Sequence, residues 1–215
     1  MTFGAAAVQL RGVGKKYDDQ VILDNFDLEV HGGEMVALTG PSGSGKSTVL
    51  NLAGLLEVPD SGGVLISGLS APNPHGRAAV HLRRKKLGYL FQNFALVDGA
   101  TVEYNLRIAL TYVRSDTAKV DLLEEALERV GLPGARKRRV YTLSGGEQQR
   151  VAVARLLVKP CEVVIADEPT GSLDPDNAAA VLDLLGALAE SGKSVLLATH
   201  DPQVASRCSR TIQLQ

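Results

Sequence analysis

Apolar and polar residues alternate through "AVQLRGVGKKY", ending at Tyr17, and again through "QVILDNFDLEV". This period of two predicts a pair of half-buried antiparallel strands. "MVALT" (Met35 to Thr39) is instead a short, continuously apolar strand, and a helix starts near Lys46. "GVLISG" predicts another strand, with Gly62-Gly63 turning into it. A polar helix over 76–86 then leads to the strand "LGYLF" (Leu87 to Phe91). From about 93 to 158 strand signals stop. "TVEYNLRIALTYV" and "AKVDLLEEALERVGL" read as helices, and so does "GGEQQRVAVARLLV". In the second, Val120, Leu123, Leu127 and Val130 recur at helical spacing, with Gly131 as a C-cap. Strands return as "EVVIAD" (Glu162 to Asp167) and "SVLLAT" (Ser194 to Thr199), separated by a helix over 177–190. A short helix and the strand "TIQL" end the sequence.

Unbroken apolar strands such as "VVIA" and "VLLA" belong in a parallel sheet covered on both faces. The expectation is an α/β domain: a mixed sheet core with an N-terminal antiparallel part (1–92 and 159–215) and an inserted all-helical lobe (93–158). Ligands of such sheets bind at the carboxyl ends of the strands.

Composition narrows this picture. The 215 residues suffice for one domain, and 45% apolar with 22% charged residues is ordinary for a soluble fold. A formal net charge of −1 supplies no field to hold nucleic acid. The basic runs at Arg83 ("RRKK") and Arg136 ("RKRR") read as solvated helix ends or loops, with a membrane or partner contact as the alternative. Cys161 and Cys208 have no metal-like spacing and fit inert thiols in a reducing compartment. "MTFGAAAVQLRG" lacks the charged and apolar regions of a signal peptide, and no run approaches the ~20 apolar residues needed to span a bilayer. A cytoplasmic protein without direct membrane insertion is expected.

Gly40-Pro41-Ser42-Gly43-Ser44-Gly45-Lys46-Ser47, followed by Thr48, lies between a predicted strand and a predicted helix. It fits the phosphate-loop pattern: backbone N–H groups wrap phosphates, Lys46 adds a point charge, and the Ser47 hydroxyl ligates Mg²⁺. "VVIADEP" ends a buried strand in Asp167, placed to hold Mg²⁺ through water; Glu168 follows, placed to orient or deprotonate an attacking water. His200 and Gln92 each end a predicted strand at the same edge. His200 is a γ-phosphate ligand or an ordinary surface histidine; Gln92 is a further candidate contact for Mg²⁺ or water. Tyr17 either stacks on adenine or is a half-buried structural tyrosine. A second small-residue loop, Ser144-Gly145-Gly146-Glu147, opens a helix and so offers another anion site, but without a lysine.

Taken in order, "GPSGSGKST", Gln92, "LSGGEQQR", "VVIADE", Ser172-Leu173-Asp174 and His200 resemble the motifs of the ATP-binding-cassette family over the whole chain. The resemblance implies an ATPase in which two copies stack head to tail with two ATP and Mg²⁺ between them. Each ATP would rest on one copy's phosphate loop and meet the other's Ser144 and Gly145-Gly146, which accounts for the missing lysine. Gln92 would then be the Q-loop residue, Asp174 part of the loop linking the two sites, and His200 the switch histidine. The resemblance also implies an integral membrane permease as partner, which holds the chain to the inner face of the membrane. Its docking groove would lie over Asn93 to Val113, where Phe94 and Leu96 are either exposed groove residues or lobe core. "LSGGEQQRVAVARLL" and "IADEPTGSLDP" look similar to ATPases of lipoprotein release, macrolide and peptide export and cell-division signalling. "GYLFQNFALVDGATVEYNL" looks closest to bacteriocin or peptide exporters. A regulatory ATPase of a cell-wall or sensing complex, moving no substrate, carries the same motifs.

Overall fold

A computed structural model describes residues 6–110 and 116–215, with side chains described except at 116–118. The ends of two expected features, the N-terminal segment before Ala6 and the helix running to Val113, lie outside the described residues.

The alternating segments form β1 (Ala6–Tyr17) and β2 (Gln20–His31), which pair antiparallel from Ala6 opposite His31 to Tyr17 opposite Gln20. β1 also pairs with β4 (Ser61–Ile66), which adds the short β5 (Leu69–Ser70), giving a sheet of order β2-β1-β4-β5. Gly62 and Gly63 lie within β4 rather than in a turn before it. Close approach to β1 is the reason, since a Cβ on Gly62 would sit 2.2 Å from the Gly12 carbonyl oxygen. β5 carried no sequence signal, because two exposed residues have no period.

The second sheet is parallel, with β6 (Leu87–Leu90), β7 (Val163–Asp167), β8 (Ser194–Ala198), β3 (Met35–Thr39) and β9 (Arg210–Gln213) side by side in that order. Its two faces belong to two cores, as a strand period of two requires. Ala37, Val164, Ala166, Val195 and Leu197 face one core; Val36, Leu38, Val163, Ile165, Leu196 and Ala198 face the other. The second core is closed by α1 (Lys46–Ala53) and the antiparallel sheet. The first is closed by α3 (Val102–Arg107), α4 (Asp116–Arg129), α5 (Gly145–Val158) and α6 (Pro175–Glu190). α2 (Arg77–Lys85) precedes β6, and α7 (Pro202–Ser206) precedes β9.

Leu123, Leu127 and Val130 of and after α4 are buried as their spacing predicts, while Val120 is half-buried. Gly131 follows with φ +71°, the left-handed cap conformation. The basic runs are more structural than expected. Arg83 donates to the Leu55 and Pro74 carbonyls, and Arg136 pairs with Glu103 at 2.6 Å and Glu124 at 2.7 Å. Cys161 is buried and both cysteines are free. No helix among the described residues is long and apolar enough to cross a membrane.

Candidate active site at the carboxyl edge of the parallel sheet

Parallel pairing places the carboxyl ends of β3, β6, β7 and β8 at one edge. The phosphate loop leaves β3, Gln92 follows β6, Asp167 ends β7, and His200 lies just beyond β8. A cleft of about 380 Å³ there is lined by Ser42, Gly43, Gly45, Lys46, Ser47, Thr48, Gln92, Asp167 and Glu168, with Ile22 from β2. Pro41 adjoins the cleft, its carbonyl bonded by Lys46. Gly40 sits where a Cβ would meet the Ser44 hydroxyl at 2.7 Å.

The loop has the shape an anion needs. Gly45 caps α1 with φ +91°, and a Cβ there would meet the Ile22 side chain at 2.8 Å, so the loop can close onto β2 only with glycine. Gly43 has open space around its α-carbon. Lys46 Nζ lies 2.8 Å from both the Gly40 and Pro41 carbonyl oxygens, folded back across the loop it closes. Ser44 carries a buried hydroxyl with no partner among the described residues.

Ser47 Oγ donates to Asp167 Oδ2 at 3.2 Å across the cleft. Burial raises the Asp167 carboxyl above its ordinary value, opposed chiefly by that hydroxyl and worsened by Glu168. A half-buried carboxylate, a hydroxyl and the Gln92 amide on one cleft form an all-oxygen donor set of the kind that suits Mg²⁺. The residues therefore fit the ion that phosphoryl chemistry needs.

Glu168 has φ +45°, a strained value for a non-glycine residue, and its N–H donates to the Ala198 carbonyl of β8 at 3.1 Å. The turn after β7 thus lifts Glu168 out of the strand direction. Its Oε1 lies 2.9 Å from His200 Nδ1, and that hydrogen bond raises the His200 pKa above its ordinary value. Tyr17 is 43% exposed, lies near Thr48, bonds Glu57 through its hydroxyl and carries Lys15 over its ring.

The second loop stands apart. Ser144 is the N-cap of α5: its Oγ accepts from Glu147 N–H at 3.2 Å, and Glu147 Oε2 accepts from Ser144 N–H at 2.8 Å. Glu147 also pairs with Arg138 at 2.8 Å. Its carboxylate, held low first by the Ser144 N–H, is engaged by Ser144 and Arg138 of its own chain. The Ser144 hydroxyl accepts in this cap and keeps its proton for an anion. Gly145 has open space around it and lines a neighbouring cavity with Gln92, Asp167 and Ser172. Ser144, Gly146, Glu147 and Asp174 do not line the phosphate-loop cleft. Asp174 caps α6, accepting from the Asn177 N–H at 3.0 Å and side-chain amide at 2.6 Å.

Sequence reading overlooked three residues here. Ile22 looked like any strand residue. Gln149 and Asn177 sit in helices whose polar positions gave no hint of burial. Gln149 is 1% exposed and donates to the Pro169 carbonyl, and Asn177 accepts from Arg150.

These features recur in known proteins. The chain is 40% identical over 214 residues to the pyoverdine export ATP-binding/permease protein PvdT of Pseudomonas fluorescens, covering 97% of this chain and 33% of that protein. It is 37% identical over 214 residues to the macrolide export ATP-binding/permease protein MacB of Escherichia coli K12, again covering 97% and 33%. The chain thus spans about a third of the length of the curated relatives it matches. A dimeric, post-hydrolysis ATP-binding cassette bound to ADP and Pi superposes with a TM-score of 0.86 at 35% identity, over 97% of this chain and 94% of that one. The ABC transporter family model matches residues 23–171, from β2 through the phosphate loop and the second loop to the turn after Glu168. The chain belongs to the ABC transporter family and has the fold of its ATP-binding cassette.

Proposed function

We propose that the chain is the ATP-hydrolysing motor of an exporter. Two copies close head to tail on two ATP molecules, and hydrolysis lets them reopen and drive a membrane permease. One observation carries this reading. The cleft gathers what one triphosphate needs from its own chain, whereas Ser144 and Gly145, at a second anion-suited helix start, lie outside it. In the stacked pair each copy's second loop completes its partner's site. The dimeric relative bound to ADP and Pi supports the arrangement.

In this reading Lys46 exchanges its two carbonyl contacts for β- and γ-phosphate oxygens, and loop N–H groups hold the rest. Ser47 and Gln92, with Asp167 through water, would hold Mg²⁺, which would neutralise charge on the phosphates. Glu168 orients a water and takes its proton as the water oxygen bonds the γ-phosphorus. The bond to the bridging oxygen breaks and ADP leaves. His200 braces the γ-phosphate, Tyr17 stacks on adenine, and Asp174 lies where the two copies meet.

Names of the relatives speak of export of pyoverdine and of a macrolide, and they support the exporter reading. The peptide or bacteriocin cargo rests on the likeness of "GYLFQNFALVDGATVEYNL" and is proposed on that ground, beside lipid-linked export. Permease docking is proposed at a groove of about 500 Å³ beside the stacked Tyr89 and Phe91 rings, lined by Arg83, Arg84, Arg155 and Lys159 and, among the described residues, by no acidic one. Held there, the chain would be peripheral on the cytoplasmic face of the membrane.

Glu168→Gln tests the core of the proposal. It should abolish steady hydrolysis while ATP still drives dimer formation, read by light scattering. Turnover within a few-fold of wild type, or a monomer at saturating ATP, sinks it.

A further inference from the structure

Gln149 lies on the buried face of α5, five residues beyond Ser144, and is 1% exposed. Its amide Nε2 donates to the Pro169 carbonyl, the residue next to Glu168. Its Oε1 is buried with no partner among the described residues. A leucine or methionine would fill this space without stranding an oxygen, and a stranded oxygen costs stability. Packing alone therefore does not account for a glutamine here. The amide N–H bond does: it ties the helix to the turn that holds Glu168 at its strained φ of +45°.

A second tie runs in parallel. Arg150 donates to Asn177, which in turn bonds Asp174. Gly146 presses on the same Asn177, for a Cβ there would meet the amide at 2.4 Å. Gln149 and Arg150 thus join α5 at adjacent residues to the two ends of the segment from Glu168 to Asn177. A shift at the start of α5 cannot leave that segment in place unless these bonds break.

We infer that Gln149 is a positioning residue that couples the two ATP sites of the dimer. The inference rests on the proposed head-to-tail pair. There, Ser144 and Gly145 of one copy touch the ATP held by the partner, while Glu168 of that same copy acts on its own ATP. Gln149 stands between them. When the partner's γ-phosphate draws in the start of α5, the Pro169 carbonyl follows the Gln149 amide, and Glu168 settles at the other site. When the phosphate leaves, the hold on Glu168 relaxes. The two sites thereby fire in concert.

The test uses the whole chain with two near-isosteric changes, Gln149→Met, which removes the donor, and Gln149→Glu, which replaces it with an acceptor. Steady-state ATPase is measured against ATP concentration. Wild type should be sigmoidal. At least one folded variant should lose about tenfold or more in kcat with KM within threefold, and its Hill coefficient should fall towards one. In the Glu168→Gln background both variants should still dimerise on ATP. A hyperbolic wild type, or an unchanged Hill coefficient and kcat in every folded variant, overturns the inference. Failure of both variants to fold assigns Gln149 to packing and overturns it too. Absence of an ATP-driven dimer in Glu168→Gln alone instead strikes the head-to-tail reading itself.

Discussion

His200 Nδ1 stands 2.9 Å from Glu168 Oε1, joining the second residue beyond β8 to the residue after β7. Glu168 is 17% exposed at its side chain and His200 is 74% exposed. The carboxylate is therefore the better-fixed partner, and the imidazole comes to it from solvent.

The hydrogen bond to Glu168, then the charge of Glu168, raises the His200 pKa above 6.5. A raised histidine stabilises the folded site below its ordinary pKa, and that contribution is lost as pH rises through the folded-state value. Followed by NMR, His200 should titrate above 6.5 in the free wild-type chain. In Glu168→Gln the charge is gone and only a neutral amide oxygen is left to accept from the ring, so the midpoint should fall towards 6.5. Equal midpoints in the two proteins would show that the pair does not form in solution.

Gly145 and Gly146 look alike in sequence but face different surroundings. A Cβ on Gly145 meets nothing within 4 Å, whereas one on Gly146 runs into an Asn177 amide held by Arg150 and Asp174. Gly146→Ala must push that amide off both partners and should cost about 1–3 kcal/mol of stability. Gly145→Ala should be neutral or stabilising by up to about 1 kcal/mol, since it only replaces a helical glycine. Yet it should weaken ATP-driven dimerisation, because its added methyl lies where the partner's phosphate would approach. Denaturant unfolding and light scattering on the two variants check the contrast. Equal stability of the pair would contradict the packing of Asn177.

Periodicity revealed the two sheets and the helices because burial in this fold follows strand and helix periods. "VVIA" and "VLLA" are apolar at every position since each face of the parallel sheet has a core against it. The candidate site at the carboxyl edge was legible for a different reason. Phosphate chemistry demands a fixed spacing of glycine, lysine and hydroxyl, and acidic or imidazole groups at strand ends. What could not be read was the role of polar residues whose partners are distant in sequence. Gln149 meets Pro169, and Arg150 meets Asn177, through tertiary contact alone. Ser144 and Glu147 stand at the spacing of the capping box that the structure shows, and the same small-residue helix start also suits an anion. β5 escaped because two residues show no period.

Of the two readings open for Phe94 and Leu96, exposed groove or lobe core, the structure favours the second, since both are half-buried against the helical core. Phe94 has φ +62°, and its carbonyl accepts from Arg155 at 3.0 Å, so the segment after Gln92 is pinned inward. The apolar side chains that do reach solvent near the basic groove are Phe91, 38% exposed, and Ile108, 51% exposed. Phe94→Asp should therefore act first on the fold, costing about 1–3 kcal/mol as a charge enters a packed site. Ile108→Asp should change stability by no more than about 0.5 kcal/mol, as surface substitutions do. Urea unfolding of the two variants separates them. If Phe94→Asp proves as stable as wild type, the ring is dispensable to the core and the docking assignment returns to it. If it is destabilised while Ile108→Asp is not, Ile108 is the sound position at which to test permease coupling.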